Sequence, residues 1–210
     1  MTLPDGVERR SIDGRTAVLA TRGDPIGDEG TDGPWREWDP NRSKLGAMIE
    51  LGMDTGLAGG ETVLYLGAAA GTTASHVADF AGPTYAVEFA ARPMRDLLDV
   101  AESRDRLFPL LKDARKPETY GHVVEPVDCL VQDVATRGQA RVANVNERFL
   151  TADGRLLLSV KARSEDATRD PAAVFEDVLE TLRTTYEVLE TSSLEPFHQD
   201  HLGVVARPLK

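Results

Sequence analysis

The residues best able to do chemistry in this chain stand where apolar runs give way to small or acidic side chains. Val63-Leu64-Tyr65-Leu66-Gly67-Ala68-Ala69-Ala70-Gly71-Thr72-Thr73 reads as a buried strand, a loop of small residues and the start of a helix. Small residues such as Gly67 and Ala68 let a ligand come close to the backbone. A tight strand-to-helix turn without a ligand would use the same loop, so Glu88 carries more weight. It ends the next apolar run 21 residues after Gly67, where a carboxylate can accept both hydroxyl protons of a ribose diol. Asp113 follows the run ending at Leu111 and is placed to accept from an adenine amino group, and Asp133 follows the run Val127 to Val131. Carboxylates at successive carboxyl ends of a parallel sheet converge on one crevice. A nicotinamide dinucleotide would want a closer Gly-x-Gly-x-x-Gly loop and a helix N-terminus free for its diphosphate. Acidic strand ends suit a cation better than a diphosphate, which favours an adenosine-containing cofactor carrying positive charge.

The elements that must position these groups follow from patterning. From residue 60 onward apolar strands alternate with helical segments: strands 62–66, 84–87, 107–111, 127–131 and 155–160, with helices 72–80, 93–101, 138–150 and 171–183. This spacing predicts an α/β fold with a mostly parallel sheet covered on both faces. Two further strands, near 186–194 and 202–207, follow each other without a helix, so one of them is expected to enter antiparallel at the sheet edge. Ahead of this core, the runs 7–12 and 16–21 flank Asp13-Gly14, a hairpin signal. Residues 22–40 read as an irregular loop anchored by Trp35 and Trp38, and 41–52 as a short helix. The division expected is a small β-rich unit with a connecting helix over 1–55 and a catalytic unit over 56–210.

Composition narrows the function classes. There are 35 acidic against 24 basic residues, a net charge of −11, and only five lysines: Lys44, Lys112, Lys116, Lys161 and Lys210. Diffuse acidity with scarce lysine suits a cytoplasm of high ionic strength, where the Debye length falls to roughly 3 Å at about 1 M salt and a carboxylate coat aids solubility. The same balance opposes unaided binding of a polyanion. No apolar window approaches the roughly 18 residues of a membrane span. Cys129 stands alone in an apolar run, and His76, His122 and His198 show no metal-ligand spacing. No Gly-x-Ser-x-Gly elbow supports a serine hydrolase.

Over nearly its whole length the chain resembles the archaeal fibrillarins. The strings that carry this are Trp38-Asp39-Pro40-Asn41-Arg42-Ser43-Lys44-Leu45, Tyr65-Leu66-Gly67-Ala68-Ala69 with Gly71-Thr72-Thr73, Tyr85-Ala86-Val87-Glu88-Phe89 and Met94-Arg95-Asp96-Leu97-Leu98. Further on come Asp113-Ala114-Arg115-Lys116-Pro117, Asp133-Val134-Ala135, Val160-Lys161-Ala162-Arg163-Ser164, and Leu194-Glu195-Pro196-Phe197 with Asp200-His201. The resemblance implies a Rossmann-like class I methyltransferase with a seven-stranded sheet and a small N-terminal β domain. It implies S-adenosyl-L-methionine as cofactor, with contacts from Thr72, Thr73, Glu88, Phe89, Asp113, Ala114 and Asp133. Two positions depart from the family pattern. Thr136 replaces the usual glutamine, leaving its contact with the cofactor open, and Gln132 stands where an acid is frequent.

The resemblance also implies a catalytic tetrad of Lys44, Asp133, Lys161 and His201. A ribose hydroxyl becomes a nucleophile when its proton is drawn off or its growing charge is stabilised, and an ammonium in a partly dry cleft can do the latter. Asp133 and Lys161 both end strands facing one crevice, so the expectation is that Asp133 holds the Lys161 ammonium charged. Lys44 would orient the ribose or a flanking phosphate, and His201 would accept or relay the proton. The activity implied is 2′-O-methylation of ribose in ribosomal and transfer RNA, directed by a box C/D guide RNA. The partners implied are that guide and its target RNA, a Nop-family scaffold and a kink-turn-binding ribosomal protein, in the cytoplasm and away from membranes. The cofactor motifs alone leave open an acceptor such as a protein glutamine or a small molecule, since fold does not fix the acceptor. A non-catalytic scaffold would be expected to lack Lys161 or Asp133.

Overall fold

A computed structural model describes residues 2–209. In chain order the elements are β1 (Val7–Ile12), β2 (Arg15–Arg22), β3 (Thr31–Asp32), β4 (Trp35–Glu37), α1 (Lys44–Glu50), β5 (Val63–Leu66), α2 (Thr72–Phe80) and β6 (Thr84–Glu88). They continue with α3 (Ala91–Ala101), β7 (Leu107–Leu111), β8 (Val127–Gln132), α4 (Gln139–Asn146), β9 (Leu150–Lys161), α5 (Ala162–Glu165), α6 (Pro171–Leu182), β10 (Tyr186–Ser193) and β11 (His201–Pro208).

Seven strands form one sheet in the order β10-β11-β9-β8-β5-β6-β7. The five from β5 to β9 run parallel. Their apolar character is nearly continuous because helices cover both faces. Val63 and Tyr65 point into a core shared with α1, α2 and α3. Leu64 and Leu66 point into the opposite core, under α4 and α6. The chain winds outward from β5 through β6 to β7, then returns to lay β8 and β9 on the other side. A crevice therefore opens beyond the carboxyl ends of β5 and β8, where the winding reverses.

The antiparallel strand is not at the edge. β11 pairs antiparallel with β9 on one side and with β10 on the other, and β10 is the edge. Burial gives the reason: in β11 Gly203, Val204, Val205 and Ala206 are buried, whereas β10 alternates buried or half-buried with exposed positions as an edge strand does.

The N-terminal sheet has the order β1-β2-β4-β3. Its hairpin turns at Asp13-Gly14, both at positive φ (49° and 76°), as a two-residue type I′ turn demands. The stretch 22–40 is more ordered than its composition suggests. It folds back so that β4 pairs with β2 and carries β3 with it. Strands of two and three residues have no periodicity to read, and their pairing partner is distant in sequence. The guanidinium groups of Arg10 and Arg22 both lie over the Trp35 ring, 5.2 and 4.6 Å from its centroid.

A buried polar network fastens this sheet to α2. The Arg36 guanidinium, wholly buried, bonds Asp79 and Glu29 at 2.8 Å each and Ser75 at 2.9 Å. Arg104 reaches Asp79 from the far side at 3.2 Å. His76 stacks on the buried indole of Trp38, with ring centroids 5.1 Å apart and 9° between the planes. Buried charges persist only when paired and hydrogen-bonded, and each charge in this group has a partner.

Candidate active site

The β5–α2 turn shows why small residues are required. Gly67 has φ +83°, and a Cβ there would stand 2.5 Å from the carbonyl oxygen of Asp133. A side chain would thus force the loops after β5 and β8 apart. Between those loops and the end of β6 lies a cavity of about 270 Å³. Gly67, Glu88, Phe89, Asp113, Ala114 and Asp133, all expected from sequence, line it, and so does Thr136, whose contact the sequence leaves open. Ala68, Thr72 and Thr73 do not. Ala68 packs into the core, and Thr73 is buried and donates to the Ser43 hydroxyl at 3.0 Å. Lys112, Arg115, Val134, Ala135 and Val142 also line the cavity and were not anticipated.

The Glu88 carboxylate is held by two backbone amides, Ala69 N–H to Oε2 at 3.0 Å and Ala90 N–H to Oε1 at 2.7 Å. Each oxygen keeps a lone pair for a further donor, as a vicinal diol requires. Phe89 is 70% exposed at the rim, a large apolar face suited to cover a purine. Asp113 is engaged by Arg115, whose Nε and Nη2 approach its oxygens at 2.9 and 2.8 Å. That hydrogen bond, foremost, holds the Asp113 carboxyl below its ordinary range. A donor from a ligand would share Asp113 with Arg115.

Of Lys44, Asp133, Lys161 and His201, Asp133 lines the cavity, Lys44 reaches Asp133, and Lys161 and His201 stand opposite each other on neighbouring strands. Ser43 caps α1, accepting from Gly46 N–H at 3.0 Å, and this sets Lys44 on the first turn facing the loop after β8. There its Nζ lies 2.9 Å from Asp133 Oδ2. His201 opens β11 directly opposite Lys161, which closes β9. The His201 Nδ1 lies 2.7 Å from the Gln199 carbonyl oxygen. A carbonyl only accepts, so Nδ1 carries the proton and Nε2 is left as an acceptor. Burial lowers the His201 pKa and the nearby Lys44 ammonium adds to this, while the carbonyl contact opposes both.

One expectation needs correction. The ammonium paired with Asp133 belongs to Lys44, and among the described residues Lys161 makes no ion pair. The pairing of β8 with β9 ends at Gln132 and Leu158. Beyond it the chains separate, and α1 presents Lys44 to Asp133. Of the residues that sequence reasoning missed, Gln139 is the most informative. Its side chain meets both backbone polar groups of Lys161, and no motif in the sequence ties these two positions together.

No group of residues suited to holding a metal ion occurs among the described residues, and no described helix is long and apolar enough to cross a membrane. Four of the five lysines, Lys44, Lys112, Lys116 and Lys161, stand at or beside the carboxyl ends of the strands in a chain of net charge −11. Of these, Lys112 lines the cavity and Lys44 reaches its Asp133.

Comparison with known proteins agrees with this geometry. The chain is 71% identical over 210 residues to the fibrillarin-like rRNA/tRNA 2′-O-methyltransferase of Haloarcula marismortui, covering 100% of both chains. It is 68% identical to the protein of that name from Halobacterium salinarum, covering 99% of this chain and 100% of the relative. Among solved structures, the fibrillarin of a fibrillarin/Nop5p complex superposes with a TM-score of 0.89 at 38% identity over 100% of both chains. Aeropyrum pernix fibrillarin with natively bound S-adenosyl-L-methionine gives 0.81 at 38% identity, covering 98% of this chain and 100% of that one. The fibrillarin family profile matches residues 23–209, a span that takes in β4, the crevice and Lys44, Asp133, Lys161 and His201, and the chain therefore belongs to the fibrillarin family.

Proposed function

We propose that this chain is the catalytic subunit of a guide-directed RNA 2′-O-methyltransferase, with S-adenosyl-L-methionine as methyl donor. The observation that carries the proposal is the Lys44–Asp133 ion pair beside a cavity lined by Glu88, Asp113 and Phe89, with Lys161 opposite His201 at the ends of the adjoining strands. The cavity residues fit the cofactor. Glu88 would accept from the ribose hydroxyls, Phe89 and Ala114 would flank the purine, Asp113 would accept from its amino group, and Asp133 would face the cationic end. When bound, the cofactor supplies an electrophilic methyl group.

The chain's own residues handle the acceptor. Lys44 neutralises Asp133 and fixes the loop from Asp133 to Thr136. Lys161, free of a carboxylate partner, stabilises negative charge growing on the ribose oxygen. His201, neutral near pH 7 with Nε2 unprotonated, takes the hydroxyl proton. Water is displaced from the rim by the incoming ribose and by Phe89.

The substrate is ribosomal RNA, and transfer RNA by likeness to the relatives. A box C/D guide, a Nop-family scaffold and a kink-turn-binding protein deliver it, in the cytoplasm. Net charge −11 supports this dependence, because a polyanion gains little from a surface of net negative charge. The division at residue 55 belongs to the same reading, with the N-terminal sheet buttressing the catalytic unit through Arg36 and His76.

The test is reconstitution with a scaffold protein, a kink-turn protein and a guide RNA, followed by mapping of labelled methyl groups on a target. Methylation at the single ribose specified by the guide is expected, with little on naked RNA. Equal turnover without guide and scaffold would refute guide dependence, and labelling of protein alone would favour a glutamine acceptor.

A further inference from the structure

We propose that Gln139 is a positioning residue for Lys161, holding it in register with the cofactor-lining loop; this rests on the role given to Lys161 above. Strand β8 stops pairing with β9 at Leu158, so Lys161, three residues on, has no strand neighbour on that side. The Gln139 side chain stands in for one. Its Oε1 accepts from Lys161 N–H at 2.9 Å and its Nε2 donates to the Lys161 carbonyl at 3.0 Å. A primary amide offers a donor and an acceptor side by side, as a strand backbone does. On the other flank Lys161 faces His201 across the antiparallel ladder.

Gln139 is itself wholly buried and fixed from three directions. Its carbonyl accepts from Gln132 Nε2 at 2.8 Å. Its backbone N–H donates to Glu165 Oε1 at 2.6 Å, and its Nε2 reaches the same oxygen at 3.1 Å. The second Glu165 oxygen accepts from Gly138 N–H at 2.8 Å. Residues 133–136, which line the cavity, lie between Gln132 and Gln139. That loop is consequently fastened at both ends to a cluster whose other member is the backbone of Lys161. Movement of the loop is transmitted to the ammonium, and the position of the methyl donor is thereby tied to that of the charge-stabilising group.

Gln139→Glu keeps the shape, keeps an acceptor for Lys161 N–H and replaces the donor with an ionised oxygen facing the Lys161 carbonyl and Glu165. In the reconstituted particle, single-turnover methylation is expected to fall on the order of 10- to 100-fold, as when one aligned group is lost. Affinity of the enzyme for S-adenosylmethionine is expected to stay within about threefold. Lowering the pH protonates the introduced carboxyl, restores a donor and recovers part of the rate relative to the unaltered enzyme, a profile that general loosening of the fold would not produce. In a Lys161→Ala background the same substitution is expected to change the rate by less than about twofold, because coupled residues are not additive. Should Gln139→Glu not fold, Gln139→Met, of similar shape but without hydrogen bonds, carries the same expectation for the paired backgrounds. Equal slowing with and without Lys161, where Lys161→Ala is itself slow, overturns the proposal alone. A Lys161→Ala enzyme of normal rate overturns the role of Lys161 and the proposal with it. Amide exchange at Lys161, unrelated to turnover, is expected to rise in either Gln139 variant, and unchanged protection also overturns the clamp.

Discussion

Acidification is expected to loosen the attachment of the N-terminal sheet through one residue, His76. Its ring is buried against Trp38, with Nδ1 2.8 Å from the Thr21 hydroxyl and Nε2 3.5 Å from Glu29. Burial, opposed by the Glu29 contact and reinforced by the Arg36 and Arg104 guanidinium groups, pushes its pKa from 6.5 down to about 4. The folded chain therefore holds His76 neutral in a range where the unfolded chain binds a proton. Stability from this source is complete above pH 6.5 and is lost as the pH falls toward 4. Glu29, held down at about 2 against an ordinary 4.5, adds a loss in the same direction, but only below about pH 4.5. Asp79 in the same cluster, its pKa raised foremost by burial, acts in the opposite direction and is common to both proteins compared below. The linkage integral over the window, at about 1.4 kcal/mol per unit, comes to roughly 2.5 kcal/mol at about pH 4.5. Urea unfolding of the chain and of His76→Gln, in concentrated KCl at several pH values, measures this. The substitution carries its own constant cost, so the diagnostic quantity is the difference between the two proteins as a function of pH, which cancels His201. That difference is expected to shrink by about 2.5 kcal/mol on going from about pH 7.5 to 4.5. Parallel curves would refute the account of a buried neutral imidazole.

Other perturbations read the crevice. Glu88→Ala removes the acceptor for a ribose diol and is expected to weaken S-adenosylmethionine binding by roughly 1.5–3 kcal/mol, measured by calorimetry; unchanged affinity in a folded variant would count against Glu88. Gly67→Ala places a methyl 2.5 Å from the Asp133 carbonyl oxygen at a positive φ. The expected cost is roughly 2–6 kcal/mol in chemical denaturation, with loss of cofactor binding. Lys161→Ala is expected to leave cofactor affinity nearly intact while slowing single-turnover methylation on the order of 10²–10³-fold. Arginine at this position is expected to restore little, since its planar fork does not match a compact ammonium.

The sequence made the crevice legible further than it made the contacts within it. Glycine, glutamate and aspartate at strand ends are constrained by backbone geometry, and those constraints are local, so Gly67, Glu88, Asp113 and Asp133 could be read directly. Thr72 and Thr73 came from resemblance, and α2 turns Thr73 toward Ser43 instead of the cavity. The pairing of Asp133 with Lys44 is not legible because Lys44 lies 89 residues earlier, in α1, whose placement against β9 and β11 follows from core packing and not from any spacing. Strands β3 and β4 escaped for a similar reason, being too short to show alternation and depending on β2 for partners. The helix expected over 138–150 is shorter, because Glu147–Phe149 tighten into a 3₁₀ turn before β9 begins.

The place of β11 between β9 and β10 has a consequence for biosynthesis. The ribosome delivers β9 first, then β10, and only afterwards the strand that joins them. Until residues 201–208 emerge, β10 has no partner, and β9 presents the unpaired backbone of Leu156 to Lys161 along its outer side. Such an open apolar strand edge invites pairing with other nascent chains. Closure of the sheet therefore waits for β11, and a polypeptide lacking residues 201–208 would keep that edge open.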